Sequence, residues 1–205
     1  MTSRGQEQKS DWLSFYRASS KSKPMDTLTR ALSLFDAEPS QRRQRFAIDL
    51  GCGAGRDTLE LLRRGWRVLA VDNQPEAISW LRSAVSPEFR GRLQTRLASF
   101  EKIRLPHCDL VNASYSLPFC SPKFFNPFWG RIVFSIRSGG RFSGHFFGIH
   151  DEWARTTHLT FHSAKQVEAL LRDLKVEYFV EKEWRGRTAS RRKYWHVFSV
   201  VARKI

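Results

Sequence analysis

At 205 residues the chain is long enough for one sizeable core, and nothing in its composition divides it in two. The 35 Lys and Arg outnumber the 20 Asp and Glu, for a formal net charge of +15 and a pI near 10.5, so a nucleic-acid partner stands as one reading beside a solvated basic surface. The basic residues are scattered, which favours the solvated surface, and no apolar run is long enough to span a bilayer.

Residues 1–10 are polar and read as disordered, with no apolar stretch of the kind a secretory signal needs. Asp11 caps a short helix whose spacing puts Trp12, Phe15 and Tyr16 on one face, and residues 19–24 form a polar, basic break. A second helix over 25–35 turns Leu28, Ala31, Leu32 and Phe35 inward, and a basic loop over 38–45 follows. The three cysteines, Cys52, Cys108 and Cys120, are odd in number and show no Cys-x-x-Cys spacing. They read as reduced thiols, with the cytoplasm as the default compartment.

Residues 46–50 are a short apolar run broken by Asp49, the length of a buried strand. Gly51, Gly53 and Gly55 crowd the next turn, where backbone approaches a ligand or takes positive φ. A helix begins at Asp57 and stops at Gly65, and a second strand over 68–71 delivers Asp72 to its end, where an acid can hold a ribose diol. Arg56 stands where a nicotinamide fingerprint would place its third glycine. The run Asp49-Leu50-Gly51-Cys52-Gly53-Ala54-Gly55 instead resembles the first motif of class I S-adenosylmethionine-dependent methyltransferases. That resemblance implies that the glycine loop packs on the methionine part of the cofactor and that Asp72 takes the ribose. The cofactor carries a sulfonium and an ammonium but no phosphate, so no phosphate-clamping lysine is required. The Trp12-x-x-x-Tyr16 segment also looks like a lid of small-molecule methyltransferases; ordinary core packing is the competing reading.

Pro75 starts a helix reaching about Ala84, with Ile78 and Leu81 inward, and a third strand spans 93–97. The family usually places an adenine-binding acid after this strand. Here Ser99 stands near that place, leaving Ser99, Phe100 or Glu101 for the adenine. A fourth strand over 108–113 leads into Asn112-Ala113-Ser114-Tyr115 at the ligand edge of an open α/β sheet. This stretch lacks the Pro-Pro of base amino-methyltransferases, and Cys120 follows Phe119 rather than proline, so cytosine-carbon chemistry is not supported either. The pattern predicts a helix over 124–136 begun near Pro127, a Gly139-Gly140 turn, a fifth strand over 141–147 and a loop bearing Asp151, Glu152 and Trp153. His145, His150, His158 and His162 read as surface or loop residues; His158 and His162 lie in an alternating segment, so their spacing does not make a metal pair. Ser163 caps a helix through Asp173 with Val167, Leu170, Leu171 and Leu174 inward.

Two alternating runs, 175–183 and 194–202, pair as a terminal antiparallel hairpin. Its tip gathers Lys182, Arg185, Arg187, Arg191, Arg192 and Lys193, far from the glycine loop or only at the rim of its ligand edge. The ending resembles the last strands of small bacterial methyltransferases of the tellurite-resistance and thiopurine type. The whole reading is a single α/β domain over 1–205, with 11–37 as a helical lid. Its core is a Rossmann-like doubly wound seven-stranded sheet, mostly parallel with an antiparallel last strand. By resemblance the cofactor is S-adenosyl-L-methionine, held by Asp49, Gly51, Cys52, Gly53, Gly55, Arg56, Asp72, Asn73, Ser99, Phe100, Asn112 and Ser114. Trp12, Tyr16, Tyr115 and Trp153 are expected at a small-molecule methyl acceptor, and Tyr115, His150 and Asp151 nearest the methyl. The expected partner is that acceptor, with no membrane and no metal; RNA binding or RNA methylation is the alternative.

Overall fold

The computed structural model describes residues 22–38, 44–155, 158–188 and 191–205. Four strands begin the sheet: β1 (Phe46–Leu50), β2 (Arg67–Asp72), β3 (Leu93–Leu97) and β4 (Cys108–Ala113). Three more follow: β5 (Ile136–Phe147), β6 (Leu174–Arg187) and β7 (Arg192–Lys204). They form one seven-stranded sheet in the order β3-β2-β1-β4-β5-β7-β6. β3 through β5 pair in parallel, while β7 runs antiparallel to both β5 and β6. The expected topology is therefore met, with the antiparallel strand inserted between β5 and β6.

β1 and β4 lie at the centre of the sheet and are buried on both faces, as parallel strands covered by helices must be. Against one face pack α1 (Asp26–Asp36), α2 (Arg56–Arg63) and α3 (Pro75–Ala84), through Leu28, Leu32, Leu61, Leu62, Ile78 and Leu81. Against the other pack α4 (Pro122–Ser135) and α5 (Ala164–Leu170), through Phe125, Phe128, Ile132 and Val167. Ser163 and Gln166 close α5 with a reciprocal capping box. At 1% exposure Arg141 of β5 is buried beside α1, bonding Glu177 and Glu38 at 2.6 Å each and lying 4.5 Å from the Phe35 ring. A cation is tolerated there because two carboxylates neutralise it.

Three expectations shift. α4 starts at Pro122, not near Pro127, because Ser121-Pro122 already supplies a pre-organised first turn. Pro127 then sits inside α4 on its exposed side, where the carbonyl it leaves unbonded can meet water. β5 extends back to Ile136, with a register shift against β4 between Cys108 and Leu110 and Gly139 at φ 78° in the bulge. α5 ends at Leu170, and Leu174 opens β6 instead of closing the helix. The N-terminal helix with Trp12, Phe15 and Tyr16 lies outside the described residues. Among those described, no helix is long and apolar enough to cross a membrane.

Gly148, just past β5, is the point of closest approach between this strand and the hairpin: a Cβ there would lie 2.1 Å from the His196 ring. Gly148→Ala should cost about 1–3 kcal/mol in urea unfolding, the usual penalty of overpacking. An unchanged midpoint would show that the His196 ring gives way freely.

Candidate functional site

Asp49, Asn112 and Ser143 are register partners on β1, β4 and β5, so three polar side chains stand in one row across the middle of the sheet. All three are buried, and they satisfy one another. The Asn112 amide donates to Asp49 at 2.9 Å and to Asp57 of α2 at 3.1 Å, while its carbonyl oxygen accepts from Ser143 at 2.8 Å. Thr58 donates to Asp49 at 2.5 Å, and the Met25 amide to Asp57 at 3.0 Å, which brings the chain ahead of α1 to this point. Burial, then the nearby Asp57 carboxylate, pushes the Asp49 carboxyl up to about 7.

The glycine loop leaves β1 directly above this row. Gly51, Gly53 and Gly55 adopt φ of 68°, 52° and 94°, values that side chains disfavour. A Cβ on Gly51 would meet the Ser116 side chain at 2.3 Å, and one on Gly55 would meet Leu81 at 2.4 Å. These two glycines therefore serve the protein's own packing as well as the turn. Asp72 holds the loop in place: its carboxylate accepts from the Gly53 amide and from the Gln74 amide, both at 2.9 Å. Burial raises its pKa against those hydrogen bonds. Cys52 donates its amide to Val71, and its buried thiol has a pKa well above the ordinary value. Arg56 lies over Asp57, and Asn73 accepts from the Gln74 amide group. Ser99 and Phe100 follow β3 beside Asp72, tied by the Ala98 amide to the Asp72 carbonyl. The Phe100 ring stacks on Phe128, and its carbonyl accepts from Arg131. Ser114 donates to Asn112 at 3.5 Å. The structure thus gathers the expected cofactor residues along the carboxyl ends of β1, β2, β3 and β4.

The expected methyl-side residues divide into two groups. Tyr115 stands just past β4 at φ 56°, the one non-glycine with positive φ among the described residues, and stacks on His145 at 4.1 Å. Phe147 and Trp195 flank it at 6.2 and 6.0 Å. Asp151 and His150 are instead engaged with the hairpin. Asp151 forms a fully buried ion pair with Lys193 and accepts from the His196 and Trp153 amides. Lys193 Nζ sits among Trp153, Trp195 and Phe147 at 3.6, 3.9 and 4.9 Å from their centroids, and burial lowers its pKa against the pull of Asp151. Trp153 is therefore one wall of this lysine cage.

His150 pairs with Glu183 at 2.9 Å and stacks on His196. These three groups bring ligand-type atoms within 4.8 Å of one another. His196 Nδ1, however, accepts the His150 amide, so Nε2 carries the proton and donates to Glu181 at 2.7 Å. No lone pair of that ring is left for a metal. His145 and His162, expected at the surface, are buried. His145 faces inward on β5 beneath Tyr115, and His162 lies against Phe125 and Phe146. Because β7 is antiparallel, the basic tip stands at the rim of the ligand edge, where Glu152 pairs with Arg191 at 3.0 Å.

Residues 47–140 match the family model described as a methyltransferase domain. The chain carries this match over a little under half of its length. It is 39% identical over 70 residues to the magnesium-protoporphyrin O-methyltransferase of Rhodobacter capsulatus, a stretch covering 34% of this chain and 31% of that enzyme. Its fold is similar to TehB of Haemophilus influenzae (TM-score 0.74, 15% identity, 88% of this chain and 62% of that one). It is also similar to the 1,6-didemethyltoxoflavin-N1-methyltransferase of Burkholderia thailandensis (TM-score 0.61, 20% identity, 91% and 78%), solved with 1,6-didemethyltoxoflavin and S-adenosylhomocysteine bound. At these identities the structural likenesses establish the fold alone.

The buried acid pair has a measurable signature. Because the Asp49 pKa is raised above its unfolded value of 3.8, its contribution to stability is fully present below that value and is lost as pH rises toward 7. Urea titrations of the ligand-free protein should show a loss of about 2–4 kcal/mol over that window, and Asp49→Asn should flatten it.

Proposed function

We propose that this chain transfers the methyl group of S-adenosylmethionine to a heteroatom of a small molecule. The observation that carries the reading is the glycine loop held by Asp72 above the Asp49–Asn112–Ser143 row, within the stretch that matches the methyltransferase domain. When bound, the cofactor supplies an electrophilic methyl on a sulfonium, open to in-line displacement. The chain's own residues fit such a group. Asp72 presents carboxylate oxygens that are already oriented by two backbone amides. Asp49 and Asp57 are two acids bridged by a neutral amide, a setting that favours an incoming ammonium. The remaining requirement is alignment of nucleophile, methyl and leaving sulfur, worth roughly 7–11 kcal/mol when geometry is ideal.

A small-molecule acceptor fits better than nucleic acid because the hairpin tip is partly neutralised within the chain, Lys193 by Asp151 and Arg191 by Glu152. The relatives with named substrates, a magnesium-protoporphyrin and a toxoflavin precursor enzyme, point the same way.

Calorimetry should show S-adenosylhomocysteine binding while NAD stays inert, and the reverse preference would overturn the assignment. Asp72→Ala should weaken that binding by about 1.5–3 kcal/mol, the range for a lost hydrogen bond to a charged group. Replacing Arg185, Arg187, Arg191 and Arg192 by Ser should leave turnover of a neutral acceptor unchanged. Steeply salt-dependent RNA binding that the quadruple variant loses would instead promote the nucleic-acid reading.

A further inference from the structure

The edge of the sheet at β3 carries a groove that methyl transfer leaves unused. It lies between α3, β3 and the 3-10 turn Pro87–Arg92 that joins them, and it consists of two adjoining hollows of about 630 and 540 Å³. Each is within the usual range of small-ligand sites. Arg82 and Arg90 line both, and Arg96 lines the larger one with Gln94 and Thr95. Among the described residues no acid lines either hollow, and none of the three arginines is ion-paired. The local sequence is as one-sided, since residues 82–104 hold Arg82, Arg90, Arg92, Arg96, Lys102 and Arg104 against Glu88 and Glu101 alone. Guanidiniums gathered without a counter-charge repel one another, and a bound anion removes that cost.

The hydrogen bonding of the groove is directed toward such an anion. Thr95 Oγ1 accepts from Arg82 Nε at 2.9 Å and from Arg82 Nη2 at 2.6 Å, so both its lone pairs are used and its own proton is left to donate. Arg82 keeps Nη1 for a further acceptor. Arg96 is anchored through Nη1 to the Arg104 carbonyl at 3.2 Å, which leaves its Nε and Nη2. A lining of donors suits an acceptor-rich ligand, and forked guanidiniums match phosphate oxygens two at a time. β3 lies three strands from β4, where Tyr115 begins, roughly 14 Å at the usual strand spacing. A small anion here is therefore not the group that receives a methyl.

We propose that this groove binds the phosphates of a small molecule bearing a di- or triphosphate. Arg82 and Arg90, shared by the two hollows, hold neighbouring phosphates, and Thr95 and Arg96 hold the end in the larger hollow. Two or three phosphates match the three arginines in charge and the hollows in volume. A nucleic-acid strand would need cations continued along its track, whereas Pro75, Ile78 and Leu97 bound the smaller hollow with apolar side chains. The site goes beyond the methyltransferase reading and does not depend on it.

Inorganic pyrophosphate is the probe. In calorimetry at fixed ionic strength it should bind the intact protein about tenfold or more tightly than sulfate does. Arg82→Gln combined with Arg90→Gln should weaken pyrophosphate by about tenfold or more, the loss of charge-assisted hydrogen bonds. Replacing Arg185, Arg187, Arg191 and Arg192 by Ser removes twice the charge and should leave pyrophosphate affinity within about twofold, which separates a site from a general field. Thermal unfolding midpoints near that of the parent would show that both variants are folded. Pyrophosphate binding no tighter than sulfate, or weakened equally by the two variants, would overturn the proposal. So would an RNA oligonucleotide that binds steeply with falling salt and loses its affinity in the double variant while pyrophosphate does not bind. Failure of S-adenosylhomocysteine to bind would bear on the methyltransferase reading alone.

Discussion

The hydrogen bonds of a single amide hold this site together. Asn112 donates to two carboxylates and accepts from a serine, joining β1, β4, β5 and the start of α2 in one buried network. Two acids so close to each other in a low-dielectric setting repel, and the amide reduces that cost by bonding both. The same network fixes the ligand loop, because β1 ends one residue after Asp49 and α2 begins beside Asp57. A fold that needed only stability would fill this row with apolar side chains. The strain retained here, a carboxyl titrating near neutrality, marks the place where a cation would be welcome.

Charge is handled differently on the other half of the sheet. The chain carries a large positive excess, yet two of its cations, Arg141 and Lys193, are almost wholly buried. Each is matched within the fold, Arg141 by two glutamates and an aromatic face, Lys193 by Asp151 and three rings. The second arrangement fastens the hairpin to the segment leaving β5. Asp151 and Glu152 together take two backbone amides of β7, the Lys193 side chain and that of Arg191 just ahead of the strand. Asp151, expected beside the methyl, thus has a mechanical task.

Much of the frame was legible from local pattern. The ends of β1, β3, β4 and α3 follow from apolar run length, from Pro75 at a helix start and from the turn residues between them. The start of α4 departs from the expected one because Ser121-Pro122 carries the same helix-start signal as Pro127 five residues earlier. The glycine loop and Asp72 were readable because a motif compresses the geometry into consecutive residues. The Asp49–Asn112–Ser143 row was not, since its members lie 63 and 31 residues apart and meet only through strand register. His145 was hidden for a related reason. Alternation along β5 puts it on the face of Arg141 and Ser143, but nothing local reveals that Tyr115 covers it. The pairing of His150 with His196 and Glu183 likewise depends on how far the hairpin runs past β5.

The extent of the family match divides the sheet. It covers residues 47–140 and stops at the start of the inward-facing part of β5. Everything that grips the glycine loop lies inside it, while Phe147, Trp153 and Trp195 lie outside, on β5, the segment after it and β7. The two halves meet along the β4–β5 seam, with Asn112 and Ser143 as the polar stitch. Drift on the distal side of that seam can reshape the aromatic wall without disturbing the loop, provided Asn112 keeps its serine. The loop's geometry is therefore insulated from changes in the aromatic side chains beyond the seam.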